Sequence, residues 1–514
     1  MTPAASSVRA PTLGESLVPI GCLIVFLAGS VLNVNELPEI AGLSDLLRAL
    51  ARIPFVGSVL MVSIPVQIPL LGATVVAALM AWRLGWRWKG IEGAFVDGIR
   101  LSLGAVLILL IVGVLIGTWI ASGVVPLMIV YGLQLLSPGA FLMATCAICA
   151  VVSLVTGSSW TTAGTVGVAL IGIGVGLKVP LPMVAGAIIS GAYFGDKMSP
   201  LSDTTNLAPG IAGAELFEHV RHMAYTTGPS LVIALGLYWL LGLRYGNGTV
   251  DPASVAAIID GLRAHFQLTP WLLVPPLLVL ILVLLRVPAL PSLLLGSLAG
   301  GIGASVFQGA SLAGILTIAY DGYASETGLA AVDDLLTRGG FASMYGTVGL
   351  IFLAMCFGGV MERAGMLSRI ADTVLRRAQT RGGLVAATLG TCIGMNVVAS
   401  DQYLSIVVPG RMYRTAFARA RLHPKNLSRC LEDAGTLSSP LVPWNTCGAY
   451  MYATLGVFPL AYLPFAFLNL LNPSLSLICG YTGWTMTPCP EEPAEEERSS
   501  KPLDATSGNV ASSV

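Results

Sequence analysis

The chain has 514 residues, of which 55% are hydrophobic and 11% are charged, and its mean hydropathy is +0.81. Ordinary soluble domains carry roughly 25% charged residues, so this composition predicts a protein that crosses a membrane several times. Lysine plus arginine and aspartate plus glutamate number 27 each, which leaves no basic excess for binding nucleic acid.

A helix needs roughly 20 apolar residues to cross a hydrocarbon core of about 30 Å. No signal-peptide cleavage pattern precedes the first apolar segment, near Leu17, so this segment is expected to be a retained span. The stretch 124–137 is expected to lie at the membrane interface. The predicted spans are 16–36, 58–82, 101–121, 139–156, 160–177, 182–208, 226–243, 271–286, 288–306, 341–361, 384–410, 431–455 and 457–479.

Loop charges orient these spans. The loops 82–90, 362–381 and 411–429 are basic, whereas 321–334 is acidic. The positive-inside rule therefore assigns the three basic loops, and with them both termini, to the cytoplasm. This assignment is consistent only if 139–177 and 384–410 each enter and leave on one side, as hairpins. Both contain Gly, Ser, Thr, Asn or Asp near their middle, where irregular backbone needs protein or water around it.

Two halves of the chain are related. GDKMSPLSDTTN (195–206) aligns with GTLSSPLVPWNT (435–446), and GTWIASG (117–123) aligns with GVMERAG (359–365), at displacements of 240 and 242 residues. The loop charges of the two halves are opposite in sign, which indicates inverted topology. The predicted fold is an all-α polytopic membrane protein with two inverted-topology repeats, each with a hairpin and a broken transmembrane helix. Secondary transporters have this architecture, with a site near the bilayer midplane.

The segment 195–206 places Asp196, Lys197 and Asp203 within a predicted span. Pro200 and Pro209 are expected to interrupt the helix there and free backbone polar groups. A charge at mid-bilayer costs at least about 2.5–3.5 kcal/mol, so these charges predict a buried polar site. The alternative is a loop in water, where the charges would have no such role.

A second half-helix is expected to begin near Ser202. Its positive end would face an anion or a carboxylate, and carbonyls of the preceding half-helix would suit a cation. Hard cations such as Na⁺ take oxygen ligands, in which this segment is rich.

The residues of this segment resemble the signature of the NhaC-type sodium/proton antiporter family. The similarity covers roughly residues 60 to 480. The resemblance implies a secondary active transporter that exchanges Na⁺ or Li⁺ for H⁺ across the cytoplasmic membrane by alternating access. It equally allows coupled exchange of small organic acids, of the malate/lactate type, or of amino acids. The segments that carry it are GAYFGDKMSPLSDTTNLAP (191–209), TGSSWTTAGT (156–165), ASDQYLSIVVPGRMY (399–413) and LEDAGTLSSPLVPWNTCGAYM (431–451).

Position by position, the resemblance implies ion-coupling or substrate-binding roles in both halves. Asp203, Asn206 and Asp401 are expected to bind Na⁺, with Asp203 as the carboxylate that takes Na⁺ or H⁺ in turn and Asp401 as the second candidate. The second half lacks an equivalent of Asp203, so the site is expected to be asymmetric. The full set is Asp196, Ser199, Asp203, Thr204, Thr205, Asn206, Ser158, Ser159, Thr161, Asp401, Ser438, Ser439, Asn445 and Thr446.

Five regions are predicted along the chain. Transmembrane helices outside the repeats occupy 1–82, the repeats occupy 83–245 and 336–482, connecting helices and an external loop occupy 246–335, and a disordered acidic tail occupies 483–514. The expected partners are Na⁺, H⁺, the lipid bilayer and, in the alternative, a small organic anion. No prosthetic group is expected, and a homodimer is left open.

Other functions find less support. An intramembrane aspartyl protease needs Gly-x-Gly-Asp, but residue 193 is Tyr, and no HExxH motif supports a metalloprotease. The chain is therefore not expected to be an enzyme. A passive channel is disfavoured because broken helices in related halves favour alternating access.

Four further residues are expected near the surface. Glu432 and Asp433 follow a basic loop and are assigned an interface role as readily as a site role. His219 and His222 lie three apart and are expected on a solvated amphipathic turn, with sensing of cytoplasmic pH as the alternative.

Overall fold

The computed structural model describes residues 8–31, 65–246, 252–328, 332–333, 336–378 and 380–489. Within these ranges the chain is helical, without a named strand. Seven described helices are long and apolar enough to cross a membrane, and nine spans result if each of two bent helix pairs counts as one. The all-α polytopic fold is thus confirmed. Parts of the predicted spans 16–36 and 58–82, and of the predicted tail, lie outside the described residues.

The first repeat comprises helices α3 to α9, preceded by two N-terminal helices. A π-helical turn at Ala163–Gly167 interrupts α6. The bounds are α1 (Leu13–Val31), α2 (Gln67–Arg83), α3 (Trp88–Ser122), α4 (Val124–Leu135), α5 (Pro138–Thr156), α6 (Ser159–Gly176), α7 (Leu181–Met198), α8 (Asp203–Ala212) and α9 (Leu216–Gly246).

Four helices connect the repeats, and α14 to α21 form the second repeat. The bounds are α10 (Pro252–His265), α11 (Val274–Leu284), α12 (Ala289–Gln308), α13 (Leu312–Asp321), α14 (Tyr345–Arg363), α15 (Met366–Arg377), α16 (Arg381–Val398), α17 (Gln402–Arg419), α18 (Pro424–Cys430), α19 (Thr446–Leu455), α20 (Pro459–Tyr462) and α21 (Phe467–Thr482). A π-helical turn at Leu431–Thr436 and a 3₁₀ turn at Ser439–Leu441 continue α18.

The internal repeat is visible in the element boundaries. Helices α4, α5, α6 and α8 begin 242 or 243 residues before α15, α16, α17 and α19. The left-handed glycine Gly123 that ends α3 matches Gly365 after α14, and Gly213 after α8 matches Gly456 after α19. The relation predicted from two short motifs therefore extends through the helix ends of both halves.

The two repeats have opposite orientation. A Cβ built on Gly98 of α3 would lie 2.3 Å from the Met355 carbonyl oxygen and 3.6 Å from the Gly359 Cα. A Cβ built on Gly117 of α3 would lie 3.3 Å from the Gly340 nitrogen, just before α14. The displacement of 242 residues takes Gly98 to Gly340 and Gly117 to Gly359. The two contacts are therefore equivalent, as a two-fold axis between the repeats requires. From the first contact to the second, residue numbers rise along α3 and fall toward the start of α14. The two equivalent helices, α3 and α14, are therefore antiparallel.

Both predicted hairpins are present. In the first, Gly174 near the end of α6 lies against Phe141 near the start of α5, with a built Cβ 3.5 Å from the Phe141 ring. In the second, the Tyr413 hydroxyl of α17 donates to the Ala387 carbonyl of α16 at 3.1 Å. The two helices of each hairpin therefore pack against each other, and the chain leaves each hairpin on the side where it entered.

The broken helix in each repeat is interrupted near the same relative position. In the first, α7 ends at Met198 before Pro200, and α8 begins at Asp203 with Ser202 as its N-cap residue. In the second, α19 begins at Thr446 after Asn445, whose side chain accepts from the Cys447 N–H. Pro209, which the sequence assigned to the break, instead lies inside α8.

The expected solvated turn at His219 and His222 is wrong, and for Glu432 and Asp433 the structure excludes the interface alternative. His219 and His222 lie on α9 and are buried, because that helix packs against α18. Glu432 and Asp433 are fully buried in the π-helical turn rather than at an interface. Hydropathy assigns such residues to water because it cannot detect polar neighbours that are distant in sequence.

Candidate functional site

The tips of both hairpins and the first helix break line a single cavity of about 680 Å³. The first hairpin contributes Thr156 to Thr161, the break contributes Pro200 to Thr204, and the second hairpin contributes Asp401 to Tyr403. This is where oppositely oriented repeats bring their irregular backbone together. Free backbone groups and side-chain oxygens meet here inside the helical bundle.

Asp196 joins the first hairpin to the first break. Its Oδ2 accepts from the Ser159 hydroxyl at 2.6 Å and from the Ser159 N–H at 3.2 Å. Its Oδ1 accepts from the Ser202 hydroxyl at 2.6 Å. These bonds satisfy a carboxylate that is 8% exposed, as buried charge requires.

Asp401 caps α17 at the tip of the second hairpin. Its Oδ1 accepts from the Leu404 N–H at 3.0 Å, which is an N-cap bond that favours an ionised carboxylate at the positive helix end. Ser158 is the equivalent cap in the first hairpin and accepts from the Thr161 N–H at 3.2 Å. The repeat therefore preserves the cap geometry but replaces a neutral hydroxyl by a charge.

Asp203 differs from the other two carboxylates of the cavity. It stands at the first turn of α8, is exposed, and lines the cavity. Its carboxylate makes no hydrogen bond to another described residue. It is thus the cavity carboxylate whose oxygens are least committed to the protein.

The charge of the cavity favours a cation. Three carboxylates line it, from Asp196, Asp203 and Asp401, whereas Arg286 is the one basic residue among its described lining residues. Lys197 points elsewhere and donates to Asp433 at 2.6 Å. Hydroxyls of Ser158, Thr161, Ser202, Thr204 and Thr446 surround the acids and add neutral oxygen ligands of the kind hard cations take.

The turn after α11 places the cavity along the length of α3. This turn, at Arg286 to Pro288, lines the cavity. At the C-terminal end of α3, Gly123 lies beside Leu272, just before α11, and beside Gln308, at the end of α12. The turn 286–288 joins the other ends of these two helices. The turn that lines the cavity therefore lies nearer the end of α3 that follows the basic loop 82–90.

An aromatic pair joins the wall of the cavity to α19. Trp160 of the first hairpin stacks on Tyr450 of α19 with ring centroids 4.1 Å apart, and the Tyr450 hydroxyl donates to the Trp160 carbonyl at 2.8 Å. Gly164 lies so close to this hydroxyl that a built Cβ would be 2.8 Å away. This packing holds the tip of the first hairpin against α19.

The structure brings part of the predicted set to the cavity. Asp196, Asp203, Thr204, Ser158, Thr161, Asp401 and Thr446 line it. Ser159 lies directly behind, bonded to Asp196. These residues come from both hairpins, the first break and the start of α19.

The remaining predicted residues hold the backbone around the cavity. Thr205 donates to the Asp196 and Lys197 carbonyls, and Asn206 donates to the Pro200 and Ser202 carbonyls. Ser199, Ser438, Ser439 and Asn445 are likewise bonded within the protein. None of these six is among the cavity-lining residues that the structure describes.

Sequence reasoning missed the role of Asn396. Its Nδ2 donates to the Gly435 carbonyl at 2.7 Å and to the Ser438 hydroxyl at 2.9 Å, and its Oδ1 accepts from Asn445 at 3.0 Å. This amide links the second hairpin to the second break. The signal was an asparagine within an otherwise apolar helix, which is costly unless it is bonded.

Known proteins resemble this chain over most of its length. Residues 191–484 match the family described as "Na+/H+ antiporter family". The chain is 41% identical over 443 residues to "Na(+)/H(+) antiporter NhaC" of Alkalihalophilus pseudofirmus, covering 86% of this chain and 96% of that protein. It is 41% identical to "Malate-2H(+)/Na(+)-lactate antiporter" of Bacillus subtilis, covering 82% and 90%. It is 38% identical to "Arginine/ornithine antiporter ArcD" of Halobacterium salinarum, covering 95% and 96%.

Proposed function

Because the chain belongs to the Na⁺/H⁺ antiporter family, we propose that it is a secondary active transporter that exchanges Na⁺ or Li⁺ for H⁺ by alternating access. The proposal is a transport step without chemical conversion and without a prosthetic group. Its proposed membrane is the cytoplasmic membrane, in keeping with the relatives from Alkalihalophilus pseudofirmus and Bacillus subtilis named above.

The observation that carries the proposal is the meeting of Asp196, Asp203 and Asp401 in one cavity between oppositely oriented repeats. Charged residues at membrane depth are expensive and mark ion pathways. The surrounding oxygens suit Na⁺, and inverted repeats supply the related conformations that alternating access needs.

The cavity is assigned to the cytoplasmic side. The turn 286–288 that lines it lies nearer the end of α3 that follows the basic loop 82–90, and the positive-inside rule makes that side cytoplasmic. The described end of the chain supports the same orientation for the C-terminus, because the Cys489 N–H donates to the Arg421 carbonyl within the basic segment 411–429. On this assignment the proposed site faces inward, and the Trp160–Tyr450 packing is proposed to lie on its closed side.

Asp203 is the proposed carboxylate that binds Na⁺ or H⁺ in turn. Its oxygens face the cavity without a hydrogen bond to another described residue, so an arriving ion displaces only water. Asp401 is the second candidate, because one of its oxygens is already bonded at the cap. Asp196 would complete the Na⁺ site from the wall, where its three bonds fix its position.

A second candidate function is coupled exchange of a small organic acid or an amino acid. The cavity volume of about 680 Å³ exceeds what a bare ion fills, and Trp160, Gln402 and Tyr403 line it beside Arg286. An arginine binds a carboxylate strongly in such surroundings. Two relatives, the malate/lactate and arginine/ornithine antiporters, are named for such substrates.

The deciding experiment uses purified protein in proteoliposomes with an imposed pH gradient. Na⁺, Li⁺, malate, lactate and arginine are tested as substrates in one preparation. Uphill Na⁺ flux driven by the pH gradient supports the proposal and excludes a channel. Uphill flux of an organic solute alone replaces it by the second candidate.

Substitution of Asp203 tests the residue assignment. Asp203→Asn keeps the volume and removes the charge, so it is expected to abolish coupled flux. Asp260→Asn, at an exposed position of α10, is the matched control and should exchange at the wild-type rate. Wild-type exchange by Asp203→Asn would transfer the assignment to Asp401, for which Asp401→Asn is then the test.

A further inference from the structure

A second group of buried charges lies behind the cavity, where α7 meets the π-helical turn Leu431–Thr436. Lys197, Arg429, Glu432 and Asp433 are each 0% exposed. The Lys197 Nζ lies 2.6 Å from the Asp433 Oδ1, and the Arg429 Nε lies 3.9 Å from the Asp433 Oδ2. Asp433 is therefore the carboxylate that faces both cations, and it also accepts from the Thr226 hydroxyl at 3.1 Å.

Glu432 has no such partner. Among the residues that the structure describes, neither of its carboxylate oxygens has a hydrogen bond of normal geometry, and the Thr436 hydroxyl one turn later is also without one. Thr436 lies in the same π-helical turn, and helix α8, which begins at Asp203 and carries Thr204, packs against this turn. An ionised carboxylate left in this state costs several kcal/mol, so the arrangement requires a proton or another positive species on Glu432.

Hydroxyls of Thr204 and Ser202 lead from the helix packed against the Glu432 turn to Asp196 in the cavity. Thr204 belongs to the helix that packs against this turn, and it lines the cavity. The Thr204 hydroxyl lies 3.2 Å from the Ser202 hydroxyl, which donates to Asp196 at 2.6 Å. Hydroxyls both donate and accept hydrogen bonds, so this path can pass a proton between the buried glutamate and the cavity.

The charged and titratable groups around Glu432 come from three elements. Helix α7 presents Lys197 and Asp196, and α16 presents the Cys392 thiol. Its own segment contributes Arg429 and Asp433. The other helices packed against the turn present hydroxyls, including Thr204 of α8, Ser405 of α17 and Ser476 of α21.

Counted together with Asp196, which lines the cavity, this group has a net charge that depends on occupancy. Lys197 and Arg429 carry two positive charges, whereas Asp196, Glu432 and Asp433 carry three negative charges when all are ionised. One proton or one monovalent cation therefore makes the group neutral. Na⁺ beside Asp196 can replace the proton on Glu432 without changing the total charge.

We propose that Glu432 is a second proton-binding residue of the transporter, which releases its proton through Thr204 and Ser202 when Na⁺ occupies the site at Asp196. In this step the Glu432 carboxyl O–H bond breaks, the carboxylate keeps the electron pair, and the proton passes to water in the cavity. The inference rests on the proposed Na⁺/H⁺ exchange. It adds that the two ions need not compete for the same oxygens.

The test compares proton release with Na⁺ binding in the purified full-length protein. Na⁺ is added in weak buffer, protons are counted with a pH-sensitive dye, and bound Na⁺ is measured in parallel. Glu432→Gln is expected to bind Na⁺ within about threefold of the wild-type affinity but to release fewer protons per bound Na⁺. Glu218→Gln, at a half-exposed position of α9, is the control and should match the wild type.

The outcomes separate the two proposals. If the wild type binds no Na⁺ and exchanges none, the proposed function fails. If the wild type exchanges and Glu432→Gln releases as many protons per Na⁺ as the wild type, the role of Glu432 is overturned while the exchange stands. Should Glu432→Gln not purify as a monodisperse protein, Glu432→Asp keeps the acid, and Na⁺-induced infrared difference spectra replace the proton count. A protonated-carboxyl band that Na⁺ removes, shifted in Glu432→Asp, supports the proposal, and an unshifted band overturns it.

Discussion

Trp160 and Tyr450 stack with ring centroids 4.1 Å apart and planes inclined by 14°. The contact joins the first hairpin to the second broken helix, so it holds one repeat against the other. On the proposed orientation, it lies between the ion cavity and the outside. A carrier must break such a contact on the outside each time the site changes sides, and must keep it closed otherwise.

Tyr450→Phe and Tyr450→Ala separate the hydroxyl from the ring. Phenylalanine keeps the stacking and loses one hydrogen bond, which costs about 1 kcal/mol, so coupled exchange should continue. Alanine removes the ring from a fully buried position, which costs roughly 3–5 kcal/mol in a packed core. It should open the closed side and uncouple the two ions. Na⁺ efflux from loaded liposomes without a pH gradient measures that leak. A Tyr450→Ala protein that leaks no Na⁺ would show that the Trp160–Tyr450 contact does not close the pathway.

Close approach of the repeats depends on a glycine in α3. A Cβ at Gly98 would lie 2.3 Å from a backbone oxygen of α14, which cannot move as a side chain can. Gly98→Ala should therefore destabilise the protein by roughly 1–3 kcal/mol, as overpacking does. Gly104 lies on the same helix with nothing within 4 Å of a built Cβ, and Gly104→Ala should be neutral or slightly stabilising.

Thermal unfolding of the two alanine variants in one detergent measures the difference. The expected order places Gly98→Ala below the wild type and Gly104→Ala at or above it. Equal melting temperatures would mean that α3 and α14 can separate at little cost, and the two-fold contact would then carry no stability.

The hairpin tips contain a strained residue in one repeat. Ser400 has φ of 58°, whereas its counterpart in the first repeat, Gly157, has φ of 67°. A non-glycine residue in the left-handed region costs about 1–2 kcal/mol, and the buried Ser400 hydroxyl has no partner among the described residues. Ser400→Gly should therefore stabilise the fold. The reverse change, Gly157→Ser, should destabilise it, because its Cβ would lie 2.8 Å from the Leu201 carbonyl carbon.

Thermal unfolding measures the two opposite changes in stability. The transport rate of Ser400→Gly is measured as well. If the strain at Ser400 helps the tip to move during transport, Ser400→Gly exchanges more slowly although it is more stable. Destabilisation by Ser400→Gly would show that the serine makes a contact that outweighs its backbone cost.

Much of this architecture could be predicted from the sequence because membrane depth makes polar residues informative. Gly157, Ser158 and Asp401 interrupt apolar segments, and each lies at a hairpin tip. Pro200 likewise marks the break after α7. Such residues are excluded from lipid unless protein or water satisfies them, so their positions indicate where backbone becomes irregular.

What the sequence could not supply is the pairing of side chains. Lys197 neighbours Asp196 in the chain, yet it bonds to Asp433, 236 residues away. Glu432 likewise follows a basic loop and is nevertheless buried. Which charges face the cavity and which face each other depends on the rotation of each helix in the folded bundle. Composition does not determine that rotation.

The loop between α13 and α14 contains a carboxylate whose behaviour with pH can be predicted. Asp333 accepts from the Thr327 hydroxyl and N–H, from Ser325 and from the Gly328 N–H. These bonds, led by the Thr327 hydroxyl, hold the pKa of Asp333 below its ordinary value. They favour the ionised carboxylate, so the order they give this loop is present above the unfolded pKa and is lost as the pH falls through the folded pKa. Asp333→Asn should remove that pH dependence. At every pH, the Thr327 and Gly328 amides of the variant should then exchange about as fast as unprotected amides do at the same pH. Slow exchange in the variant, with the wild-type pH profile retained, would mean that another group holds the loop.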